Sequence, residues 1–151
     1  MFTIRNIFTV MLLSIAMPTL ADEPSGSAVI SAPVTTSDAL AALEDIFTAY
    51  SDEHELEAEA MVSPAMIGYQ KLLDAMRLSS SRQKQIRISL HDTQMVIVDD
   101  VVVIHTSWEK RHITLPDSVP MLRKGQSIFR MQTTKEGWKL TGQSGDNVFA
   151  P

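Results

Sequence analysis

The stretch VDDVVVIHTSWEKRHI, residues 98–113, decides how this chain is read. Asp99-Asp100 is a short turn between apolar residues, and Val101 to about Thr114 follows as one long strand. Alternate side chains of a strand point oppositely, so His105, Ser107, Glu109 and Arg111 share one face, and Ile104, Thr106, Trp108, Lys110 and His112 share the other. Working outward, Ile86, Ile88 and Leu90 alternate with Arg87, Ser89 and His91, and after a break at Asp92 the strand resumes over Met95 to Val98. Downstream, LPDSVPMLRKG reads as a loop with two prolines and Gln126 to Thr133 as a third strand. Lys135-Glu136-Gly137 then turns into a fourth strand beginning at Trp138.

The first half has the other period. Ser37 and Asp38 offer capping oxygens, and Leu40, Leu43, Ile46, Phe47 and Tyr50 recur at helical spacing, which predicts a helix over 37–51. The acidic DEHELEAEAMV reads as a short solvated helix. Ser63-Pro64 resembles a cap with proline in the first turn of a helix that carries Ile67, Leu72, Leu73 and Met76 to about Leu78, and SSSRQK reads as a polar connection. Helices first and an antiparallel meander afterwards predict an α+β domain, its helices packed on one face of a curved four-stranded antiparallel sheet.

Composition sets the compartment. Arg5, the apolar run Ile7 to Ala16 and the small residues around Thr19-Leu20-Ala21 read as an export signal over 1–21, which places the mature protein in the periplasm or outside the cell. The run is short for a membrane span, so none is expected in the mature form. Residues 22–36, DEPSGSAVISAPVTT, read as a disordered tether, 37–147 as the domain, and 148–151 as a tail. There is no cysteine, hence neither disulfide framework nor thiolate metal site. A net charge of −5 argues against nucleic acid as a partner.

Taken together, SPAMIGYQKLL, VIVDDVVVI and the hairpin IFRMQTTKEGWKLTG resemble the nuclear transport factor 2-like superfamily, and within it the SnoaL-like branch. The resemblance covers roughly Ser37 to Gly145. It implies a cystatin-like cone, a curved sheet wrapped on helices with a cavity at the wide end. It also implies members that are isomerases, dehydratases, cyclases, ligand binders or adaptors, the catalytic ones commonly using an Asp or His base and a Tyr or Asp donor.

The candidate residues follow from the strand faces. With the Ile104 face inward, Trp108 covers the core and His112 nears the cavity mouth; a bulge that switches register turns His105 inward instead. Either imidazole is suited to general-base work, and equally to an ordinary hydrogen bond. Tyr50 and Tyr69 are candidate donors to a ligand carbonyl, and Asp92 is a candidate acid or base or a plain bulge residue. The expected site therefore binds a small hydrophobic ligand through Tyr50, Tyr69, His105, Trp108 and His112, with His105, Asp92 and Tyr50 as candidates for catalysis. His54 and Glu57 stand one turn apart in an acidic run without the second histidine of a helical zinc motif, so neither a metal site nor a cofactor is assigned. Lys110, Arg111, Arg123, Lys124 and Arg130 read as a basic rim of the sheet. Two functions stand: a ligand-binding or interaction domain, pairing as a homodimer through the sheet, and a cofactor-independent isomerase, dehydratase or cyclase acting on a hydrophobic carbonyl compound.

Overall fold

The first helix is set by Thr35, whose side-chain oxygen accepts the Asp38 N–H at 3.1 Å and relieves one of the unpaired donors of the first turn. The computed structural model describes residues 35–151; the expected signal and all but the end of the expected tether lie outside the described residues. In chain order the elements are α1 (Thr36–Ser51), α2 (Glu55–Ala60), α3 (Tyr69–Arg82), β1 (Gln83–Val98), β2 (Val101–Thr114), β3 (Val119–Thr134) and β4 (Gly137–Gly145). The strands form one antiparallel sheet in the order β1-β2-β3-β4. Among the described residues no helix is long and apolar enough to cross a membrane.

The period-2 pattern of β2 survives intact. Val102, Ile104, Thr106, Trp108, Lys110 and His112 are all buried, facing Leu43, Ile46, Phe47 and Tyr50 of α1 and Leu72, Leu73 and Met76 of α3. The bulges lie instead on β1, where register shifts fall between Lys84 and Arg87 and between His91 and Gln94, with Gln85 and Asp92 at φ 53° and 51°. The break expected at Asp92 is thus a bulge inside one continuous strand.

Several expectations are corrected. The third helix begins at Tyr69, directly after Gly68 in the left-handed region at φ +83°, and not behind Pro64. Ser79–Arg82 is its last turn rather than a connection. Ser80 and Ser81 donate to the carbonyls of Met76 and Leu78, which lets polar residues remain helical. Most of the expected proline loop is strand, since β3 already starts at Val119. Pro120 is tolerated because it pairs with Ile113 on one side, while β4 reaches only Ser127–Thr134 on the other. Trp138 is half-buried against the core, and Trp108 is the deeply buried indole.

The segment after β4 folds back into the cone. Residues 148–151, expected as a tail, carry Val148 and Phe149 fully into the core. Phe149 stacks edge-on against Tyr50 at 5.2 Å between centroids and tilts against Phe47 at 5.6 Å. Residues 61–63 meanwhile lie along β4: Leu140 donates to the Met61 carbonyl at 2.9 Å, and Ser63 donates to the Leu140 carbonyl at 2.9 Å.

Candidate functional site

Alternation along β2 drives a lysine into the middle of the cone. Lys110 lies two residues beyond Trp108 on the inward face and is fully buried. Its ammonium donates to three oxygens from distant parts of the chain: the Tyr50 hydroxyl at 3.1 Å, the Ser79 hydroxyl at 3.0 Å and the Ala150 carbonyl at 2.8 Å. Tyr50 comes from the end of α1, where its spacing from Ile46 and Phe47 puts it on the apolar stripe; Ser79 continues the inward face of α3 past Leu72 and Met76. The hydroxyls form a relay, Tyr50 donating to Ser79 and Ser79 donating to Gln83 Oε1 at 2.6 Å. Lys110 also stands 5.4 Å from the centre of the Tyr50 ring.

Burial decides the electrostatics. Desolvation lowers Lys110 from its ordinary value to about 7, assisted by the like charge of Arg123, and it lifts the Tyr50 phenol to about 12. His112, the next inward residue on β2, is only 5% exposed, and its Nδ1 has no hydrogen-bond partner. Burial, then Lys110 and Arg123, hold it below the usual imidazole value. The site therefore carries a neutral imidazole and an amine that titrates near neutrality, without a carboxylate bonded to either.

The expected site residues separate into two groups. Tyr50, Trp108 and His112 face the interior, where Trp108 donates its Nε1–H to Ser127 at 2.8 Å. Tyr69, at the start of α3, donates to Glu59 at 3.1 Å; desolvation first, and then that bond to a carboxylate, raises its phenol. His105 is exposed on the opposite face of β2, and Asp92 is exposed at the β1 bulge; both border a surface depression with Gln94 and Gln126. Lys110 is no part of a basic rim. On the outer face, Glu109 binds Lys124 at 2.5 Å with Arg111 at 3.8 Å, and these cations, Lys124 foremost, hold its carboxyl low. His54 and Glu57 are an exposed pair at 3.5 Å.

A cleft of about 790 Å³ opens between α1 and β1, lined by Glu44, Phe47, Thr48, Asp52 and residues 85–90. Its walls set the core-side Phe47, Ile86, Ile88 and Leu90 beside Glu44, Asp52 and Arg87. The interior cluster is the more distinctive chemistry.

No family model matches the chain, and no curated protein matches it. Solved structures do. A candidate scytalone dehydratase from Novosphingobium aromaticivorans superposes with a TM-score of 0.66 at 9% identity, covering 74% of this chain and 83% of that one. A candidate dehydratase of the nuclear transport factor 2-like family from Streptomyces avermitilis gives 0.63 at 15%, covering 76% and 96%. A nuclear transport factor 2-like superfamily protein from Salmonella enterica serovar Typhimurium gives 0.61 at 7%, covering 71% and 86%. The chain has the nuclear transport factor 2-like fold. In this nuclear transport factor 2-like cone the interior is the concave space that the sheet and helices enclose, and here it holds Lys110, Tyr50, Ser79 and His112 beneath the segment 147–151.

Proposed function

We propose that this is an exported small-molecule-binding domain whose site is the interior of the cone. The observation that carries the reading is Lys110: a fully buried ammonium whose partners are two hydroxyls and a backbone carbonyl instead of a carboxylate. A lysine whose only task is to hold the fold together is poorly placed there, since burying an ion costs several kcal/mol unless it is paired. Lys110 and Tyr50 are donors suited to a ligand oxygen, and Phe47 and Phe129 offer apolar walls. The named dehydratases with this fold are consistent with small-molecule binding. Export rests on Arg5, the run Ile7–Ala16 and the small residues ending at Ala21.

The test uses full-length gene product recovered from the envelope fraction. Its intact mass is expected to begin at Asp22, and mass spectrometry of molecules released on denaturation is expected to return a species lost in Lys110→Met and retained in His105→Ala, on the outer face. A species carried equally by both variants would place binding outside the cone. A catalytic reading is favoured by one feature, the unpartnered Nδ1 of His112, which is a free base two residues from an oxygen-polarising lysine. We also propose a homodimer through the outer sheet face, where register aligns Val96 with Val103 and Val98 with Val101 as an apolar patch.

A further inference from the structure

Lys110 on β2 and Arg123 on β3 are directly paired across the sheet, so two cations share one face at neighbouring positions. Like charges placed opposite one another are destabilising unless something between them compensates. Among the described residues neither pairs with an Asp or Glu side chain, and what lies between them is the Ala150 main-chain oxygen. The Ala150 oxygen accepts from Lys110 at 2.8 Å and from Arg123 Nη1 at 2.7 Å, and the same Arg123 nitrogen reaches the Pro151 oxygen at 2.6 Å. His112 lies beyond with an unsatisfied Nδ1. Three basic side chains thus converge where the chain supplies main-chain oxygens and no side-chain carboxylate.

We infer that Lys110 and Arg123 form a clamp for the carboxylate of a small amphiphilic acid, and that Asn147–Pro151 is an internal stand-in which that acid displaces. The inference rests on the proposed reading of the cone as a binding site and adds the ligand class. A carboxylate gives charge-assisted bonds to both cations, about twice as strong as those to a neutral carbonyl, and matches the guanidinium fork. The apolar body of the acid takes the place of Phe149 against Phe47 and Tyr50. Besides the bonds to Lys110 and Arg123 and the burial of Val148 and Phe149, the segment is held by Phe149 N–H donating to Asn147 Oδ1 at 3.0 Å and Ala150 N–H to the Asn147 carbonyl at 3.2 Å.

Octanoate and the neutral 1-octanol distinguish the possibilities on the full chain, with calorimetry for affinity and hydrogen exchange at the Phe149 and Ala150 amides for displacement. Octanoate is expected to bind about tenfold tighter than 1-octanol, the ratio one stronger bond supplies, and to speed exchange at both amides. Arg123→Met, at a partly exposed position, is expected to weaken octanoate binding about tenfold on the same ground, although it also frees the segment. Asn147→Ala, which only loosens the segment, is expected to tighten binding. Equal binding of acid and alcohol, with exchange accelerated, overturns the clamp and leaves the cone as a site. Octanoate binding without accelerated exchange overturns the stand-in. Binding of neither probe overturns the carboxylate clamp, and with no species lost in Lys110→Met the cone reading falls too.

Discussion

Lys110 sets the pH response of the molecule. Its neighbours are Tyr50 from α1, Ser79 from α3, Arg123 from β3 and His112 on its own strand. Below about pH 7 the folded and unfolded chains both carry its proton, and the full cost of burying the charge is present. Between about 7 and its ordinary 10.5 the unfolded chain holds more protons, so stability rises with pH, each unit of the depression being worth about 1.4 kcal/mol. His112, also lowered, acts in the same direction on the acid side, whereas Tyr50, raised to about 12, makes stability fall above pH 10. Urea midpoints are therefore expected to climb from pH 7 to 9 in the parent and to stay flat in Lys110→Met; a parent curve without that climb would show the amine to be unperturbed. Much of this site was legible only in part. The inward face of β2 can be read from alternation, and Lys110 stands on it in register with Ile104 and Trp108. Lysine is so rarely buried unless paired that the rim was the expected place, and its partners at 50, 79 and 150 are joined only by the fold.

At the scale of elements, periodicity located the strands and failed where a local exception intervened. Strand β2 came out whole because no residue contradicts its alternation, and the KEG turn lies where expected, with Gly137 at φ +106°. The start of β3 was hidden by two prolines that read as a loop, and the end of α3 by serines that satisfy themselves on the preceding turn. A contact between elements also gave no sequence signal: Gly125 on β3 faces Trp108 on β2. A Cβ there would enter the indole ring and meet Asp146 Cβ at 2.8 Å. Gly125→Ala is accordingly expected to cost about 1–3 kcal/mol by overpacking. Trp108→Ala, which removes the deeply buried indole, is expected to cost about 3–5 kcal/mol. Denaturant titration of the pair checks both, and a neutral Gly125→Ala would mean that the indole yields freely.

For the whole molecule, the cone was legible from helices followed by a meander, while its closure was not, because residues 147–151 are too few to show a period. Assembly is expected to follow from the outer face: light scattering should report a dimer that Val103→Glu converts to monomer, and a monomeric parent at high micromolar concentration counts against it. The ladder between residues 61–63 and Leu140 bears on a different hazard. A sheet edge is a template for strand addition between molecules; here residues 61–63 cover the β4 edge at Leu140 as a strap, and the kinks at Gln85 and Asp92 interrupt the β1 edge. Fibrillation should then start where the strap lets go, so that weakening the 61–63 segment turns a still-folded protein into an aggregating one before the cone melts.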